Sequence, residues 1–169
     1  RGQTVIRSEL VKSKNLNQQK VIWLTGLPSS GKTTIANELG KTLEKQGLAF
    51  YILDGDNMRK EINSDLGFSI SDRIENNRRI SYVAKILSQA GVITIVSTIS
   101  PKEEIRETSK NIIGKNNYYL VYLNTPLEVC MSRDPKNLYK NNKKIKNITG
   151  IDHKFEIPNK PNLIIDTSK

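Results

Sequence analysis

Residues 21–45 read VIWLTGLPSSGKTTIANELGKTLEK, and this stretch decides the fold. Val21 to Thr25 form an apolar run that breaks at Gly26. The next eight residues, Gly26-Leu-Pro-Ser-Ser-Gly31-Lys32-Thr33, fill every required position of G-x-x-x-x-G-K-[ST]. Beyond them Ile35, Ala36, Leu39 and Leu43 recur at helical spacing. Strand, glycine-rich turn and helix in that order make a phosphate-binding loop. The glycines let backbone N–H groups turn inward around an anion, at the positive end of the helix dipole. Lys32 adds a charge for β- and γ-phosphates, and Thr33 a hydroxyl ligand for Mg²⁺.

Outward from the loop, short runs rich in Val, Ile, Leu and Tyr predict further strands at Ala49–Leu53, Val92–Ser97, Tyr118–Leu123 and Leu163–Ile165. Ile80, Val83, Ala84 and Leu87 predict a helix, and Pro101 and Pro126 each suit the first turn of another. Strands alternating with helices imply an α/β domain whose parallel sheet is covered on both faces. At 169 residues and 19.1 kDa the chain fits one such domain, residues 21–169, preceded by an arm over 1–20.

The net charge of +10 raises a nucleic-acid binder as a possible class, so its distribution matters. Residues 1–20 contribute +4, residues 133–147 contribute +5 and the rest only +1. A tail and one loop therefore hold the charge, with no basic face across the fold, and no nucleic acid is expected as partner. Residues 136–150, Lys/Asn-rich with few apolar anchors, form a long loop of the kind that is usually functional or disordered. No run nears the roughly 18 apolar residues of a membrane span, and no secretory signal is visible. A single cysteine, Cys130, excludes an internal disulfide and a multi-cysteine zinc site, and points to a reducing, cytoplasmic setting.

A phosphate-binding loop does not choose between kinase, GTPase and ATPase. The third strand runs into Ser97-Thr98-Ile99-Ser100 without an acidic residue, and Asn-Lys-x-Asp is absent. Acids gather instead at Leu53-Asp54-Gly55-Asp56-Asn57, after the second strand, where open α/β sheets hold ligands. Asp54 could organise Mg²⁺ while Asp56 orients or deprotonates an acceptor hydroxyl; the same residues also suit an Asx-rich turn.

The surrounding residues are more specific. LDGDNMRKEINSDLGFSISDRIENNRR at 53–79 resembles the adenylylsulfate kinase family, which carries LDGDN-x-R, DLGFS and DR-x-EN-x-RR in that order. The likeness continues through Ile99-Ser100-Pro101, Thr125 to Cys130, Arg133-Asp-Pro-Lys136, Leu138-Tyr139-Lys140 and Thr149-Gly-Ile-Asp152. It implies a three-layer P-loop kinase fold with strand order 2-3-1-4-5, a lid over about 133–150 and a homodimer. The implied reaction carries the γ-phosphoryl group of ATP to the 3′-hydroxyl of adenosine 5′-phosphosulfate, with Mg²⁺, in sulfate activation. By the same resemblance Gly26, Ser29, Ser30, Gly31, Lys32, Thr33, Thr34 and Arg133 would bind ATP, with Thr33 and Asp54 at the metal. Asp56, Arg59, Phe68, Arg73, Asn76, Ile99, Ser100, Lys136, Ile148 and Thr149 would bind the acceptor, and Lys32, Asp54, Asp56 and Ser100 would form the catalytic set. Arg78 and Arg79, on a helix, read as solvated or paired.

Departures from the family pattern fall around the acceptor: Ile148 stands where an aromatic is usual, Thr98 replaces a Phe, Lys102 replaces an aromatic or His, and the lid is about two residues shorter. A same-fold kinase for another modified nucleotide, such as a cytidine diphosphate derivative bearing a phosphoramidate, and a non-catalytic nucleotide- or RNA-binding module are the competing readings.

Overall fold

The computed structural model describes residues 20–140 and 147–168. Five strands, β1 (Val21–Thr25), β2 (Phe50–Asp54), β3 (Ile93–Ser97), β4 (Tyr118–Asn124) and β5 (Leu163–Asp166), form one sheet in the order β2-β3-β1-β4-β5. Every pairing is parallel; Val21 at the centre registers with Thr94 on one side and Tyr118 on the other. Among the described residues five helices alternate with them: α1 (Lys32–Lys45), α2 (Gly55–Lys60), α3 (Ile70–Gln89), α4 (Glu103–Ile113) and α5 (Leu127–Arg133).

Central strand β1 is buried throughout, because helices cover both faces of the sheet and leave no position for a polar outward face. Its side chains alternate between two cores. Ile22 and Leu24 pack with Ile35, Leu39 and Leu43 of α1, while Val21 and Trp23 pack with Met58 of α2, Ile80 and Ala84 of α3 and Ile113 of α4. Each fully buried aliphatic side chain contributes about 1.5–3 kcal/mol. This rigid sheet fixes the carboxyl ends of its strands, and the phosphate loop, the Asp54 turn and the Ile99–Pro101 turn all sit there.

The predicted strands agree with those observed to within a residue or so at each end. The two prolines lie just ahead of their helices, outside the first turn. Pro126 is the N-cap of α5 with an extended ψ of 143°, its carbonyl accepting from Val129 and Cys130, and α4 starts two residues beyond Pro101 with Lys102 as its N-cap. Lys20 begins the described chain, its carbonyl accepting from Thr94 N; residues 1–19 of the expected arm and 141–146 of the expected lid lie outside the described residues. No described helix is long and apolar enough to cross a membrane.

Candidate active site

The loop between β1 and α1 turns tightly enough to require its glycines. A Cβ on Gly26 would sit 2.9 Å from the Leu123 carbonyl oxygen, and Gly31, the N-cap of α1, adopts a φ of +91°. From beneath, the Ser30 carbonyl accepts from Thr167 Oγ1 at 3.0 Å and Thr125 Oγ1 at 3.4 Å, so residues following β5 and β4 both support the loop. Lys32 Nζ donates back into the loop, to the carbonyls of Leu27 (2.6 Å) and Gly26 (3.0 Å). The residue keeps partial exposure, but its ammonium is enclosed by the loop, and that burial pushes its pKa down to about 8 against the smaller opposing pull of Asp56 and Asp54.

The lowered value has a consequence for the donor. Polyphosphate favours the charged amine, so ATP binding above pH 8 requires proton uptake. Affinity for ATP is expected to fall as pH rises through 8, approaching about tenfold per pH unit. Calorimetry at pH 9 in buffers of different ionisation heat should register the uptake; an affinity constant from pH 7 to 9 would sink the assignment.

Asp54 links the two halves of the site. Its Oδ2 accepts from Thr33 Oγ1 at 3.2 Å, and its Oδ1 caps α2 by accepting from Asp56 N at 3.0 Å and Asn57 N at 3.2 Å. The turn reading of Asp54 is met by the bonds to Oδ1, while Oδ2 faces the phosphate loop. A hydroxyl and a carboxylate oxygen side by side at the phosphate edge suit a hard divalent cation, which keeps waters and takes its other ligands from phosphate. Asp56 follows on the first turn of α2, half-exposed and paired with Lys136 Nζ at 2.5 Å. Partial burial works to raise its pKa, but Lys136, with Arg59 and Lys32 behind it, outweighs that and holds the carboxyl below its ordinary range.

Beyond Asp56, two guanidinium groups converge on one ring: Arg59 stands 5.0 Å and Arg73 5.7 Å from the centroid of the half-exposed Phe68. Both donate only to backbone carbonyls, Arg59 to Gly67 and Gly55, Arg73 to Phe68 and to Asn147 across the lid, and neither forms an ion pair among the described residues. Burial, then the nearby Arg59, lowers Arg73 to about 10, so it remains charged at neutral pH. Two guanidiniums that form no ion pair among the described residues, beside an exposed aromatic ring, suit an anion carrying a flat base. Ser69, the N-cap of α3 accepting from Asp72 N, sets the start of the helix that carries Arg73 and the buried Asn76. Arg78 and Arg79 pair with Glu75 and Asp65 on the exposed side.

The structure reassigns two expected contact residues. Ser100 is fully buried with a φ of +38°; its Oγ accepts from Trp23 Nε1 at 3.1 Å and donates to Thr25 Oγ1 at 2.9 Å. A hydroxyl directed into the core in this way braces the Ile99–Pro101 turn. Ile148, expected to face the acceptor base, is 4% exposed and packs with Cys130 and Tyr139, against Leu27 and Leu127. It is a core residue of the lid. Neighbouring Thr149 is buried too.

The lid grips the donor loop directly. Tyr139 Oη donates to the Pro28 carbonyl at 3.0 Å, Asp134 accepts from the backbone N–H groups of Leu138, Tyr139 and Lys140, and Arg133 donates to the Thr167 carbonyl. Sequence reasoning missed Arg106, which is 1% exposed, pairs with Glu103, and donates to the carbonyls of Ser100 (2.8 Å) and Glu156 (2.7 Å). It pins the Ile99–Pro101 turn. An arginine on an amphipathic helix gives no sign in the sequence that it points inward.

Fold and phosphate loop together define a P-loop kinase. The family model for adenylylsulphate kinase matches residues 18–166, and the chain belongs to that family. It is 52% identical over 161 residues to the adenylyl-sulfate kinase of Bacteroides thetaiotaomicron, covering 94% of this chain and 80% of that one. Against the adenylyl-sulfate kinase of Clostridium acetobutylicum it is 47% identical, covering 96% and 80%. The structure superimposes on the Mycobacterium tuberculosis APS kinase, solved in complex with AMPPNP and APS, with a TM-score of 0.84 and 40% identity over 86% of each chain.

Proposed function

We propose that this chain transfers the γ-phosphoryl group of ATP to the 3′-hydroxyl of adenosine 5′-phosphosulfate (APS), giving 3′-phosphoadenosine 5′-phosphosulfate and ADP, as a step of sulfate assimilation. The observation that carries the acceptor is the pair Arg59 and Arg73, which form no ion pair among the described residues, around Phe68. A phosphosulfate offers the anionic oxygens that guanidiniums recognise in pairs, and adenine offers the face for the ring.

Transfer forms one bond from the 3′-oxygen to the γ-phosphorus and breaks the bond to the β,γ-bridging oxygen, which leaves on ADP. Asp56 orients the hydroxyl and takes its proton as the new bond forms. Its low pKa makes it a weak base, suited to holding the hydroxyl in line and receiving the proton late. The Asp56–Lys136 pair is half-exposed, and pairs of that kind contribute only about 0–1 kcal/mol. Acceptor hydroxyl and phosphate can therefore displace it at small cost. Lys32 balances charge developing on the β- and γ-phosphate oxygens. Thr33 and Asp54 would hold Mg²⁺, which when bound neutralises phosphate charge. Arg133 and Lys136 bring the lid's charge to the phosphates, and the lid limits access of water. A homodimer in a reducing cytoplasm completes the reading, supported by the exposed apolar row Ile74, Tyr82 and Ile86 on α3 and by the lone buried Cys130.

A coupled assay of ATP consumption over a panel of acceptors tests the proposal. APS should be consumed with the highest kcat/KM. A preference for a cytidine diphosphate derivative, or no acceptor-dependent turnover, would overturn it.

A further inference from the structure

Between its two glycines the phosphate loop holds a strained residue. Ser29 adopts a φ of +62°, in the left-handed region that a side chain disfavours, and Gly31 follows at +91°. Left-handed residues set into a turn bring backbone N–H groups round to one side, making the concavity that holds an anion. Ser29 N–H suits that use, since it has no hydrogen-bond acceptor among the described residues. A strained conformation of this kind persists only where its surroundings fix it.

The group that fixes it lies 111 residues away in sequence. Tyr139 Oη donates to the carbonyl of Pro28, the residue before Ser29, at 3.0 Å. The peptide group joining Pro28 to Ser29 is planar and trans, so its C=O and N–H point in opposite directions. Holding the carbonyl towards Tyr139 therefore turns the Ser29 N–H away from Tyr139. No other support of the loop reaches this peptide group. Thr125 and Thr167 hold the Ser30 carbonyl, Lys32 holds those of Gly26 and Leu27, and Pro28 has no N–H of its own.

Tyr139 is itself firmly placed. Its ring packs with Cys130 and Ile148 against Leu27 and Leu127, and its backbone N–H is one of three that Asp134 accepts from. Gly150 closes the same cluster: a Cβ there would sit 3.0 Å from Leu27 Cδ2 and 3.2 Å from Leu127 Cδ1. Burial pushes the phenol's pKa up, so the hydroxyl stays a donor throughout the neutral range.

We propose that Tyr139 is a positioning residue for the phosphoryl donor: its hydroxyl holds the Pro28–Ser29 peptide group so that Ser29 N–H can donate to a nucleoside polyphosphate in the loop. This rests on ATP being the donor, as in the function proposed above, and adds a residue that acts through another.

Tyr139→Phe tests it, because the ring and its packing stay while the hydroxyl goes. The Kd for ADP with Mg²⁺, measured by calorimetry, should rise about fivefold, the scale of one hydrogen bond's net worth. KM for APS at saturating ATP should stay within twofold of the parent. An ADP affinity that changes less than twofold overturns the proposal. So does an equal loss for ADP and APS, which is what a general loosening of the cluster predicts. Amide NMR adds a readout that packing does not move: in the parent the Ser29 amide proton should shift downfield on addition of ADP, and in Tyr139→Phe that shift should shrink. A Ser29 amide in the parent that does not respond to ADP overturns the proposal even if Tyr139→Phe fails to fold. A parent that binds ADP and leaves APS unconsumed would overturn the function proposed above, and the ADP measurements would still decide the role of Tyr139.

Discussion

Lys32→Ala is expected to abolish measurable phosphoryl transfer while the protein stays folded. The Lys32 ammonium rests on the carbonyls of Gly26 and Leu27, and the residue belongs to none of the hydrophobic clusters that hold the sheet. Burial disfavours its charge, and that cost is present below about pH 8, where the amine is protonated, and fades as pH rises above it. The variant should therefore melt at the same temperature as the parent or higher at neutral pH. Catalysis of phosphoryl transfer is almost entirely positioning and charge stabilisation, and loss of one such group costs about 10²–10³-fold or more. Single-turnover transfer from ATP to APS, read beside a thermal melt, checks both halves. Turnover within tenfold of the parent would remove the phosphate loop from the mechanism.

Asp56→Asn should produce the second large effect, with a different signature. The amide keeps the size of the side chain but cannot take the acceptor proton, and it gives up the ion pair to Lys136. Turnover should drop about 10²–10⁴-fold. ATP affinity should change little, because the metal contacts are assigned to Thr33 and Asp54. Measuring kcat on saturating substrates beside ATP binding separates the two. Collapse of ATP binding with turnover preserved would place Asp56 on the donor side.

The fold could be read from residues 21–45 because the motif needs a strand before it and a helix after it, and the two alternating cores of β1 follow from that. Asp54, Asp56, Arg59 and Arg73 could be singled out by charge, and the structure sets Asp54 at the end of β2, Asp56 and Arg59 on α2, and Arg73 beside Arg59 at Phe68. Direction was not legible. Ser100 lies in a matching motif, yet its left-handed backbone turns the hydroxyl onto Trp23 and Thr25. Ile148 replaces an aromatic, yet it joins Cys130 and Tyr139 under the lid. Arg106 acts through backbone carbonyls, contacts that have no periodicity or spacing to betray them.

The two oxygens of Asp54 answer to different masters. One belongs to Thr33 on the donor side, the other to the first turn of the helix that holds Asp56 and Arg59 on the acceptor side. One carboxylate thus ties the phosphate loop to the start of the helix after β2, so a substitution at Asp54 loosens both at once, whereas one at the half-exposed Phe68 leaves that tie intact.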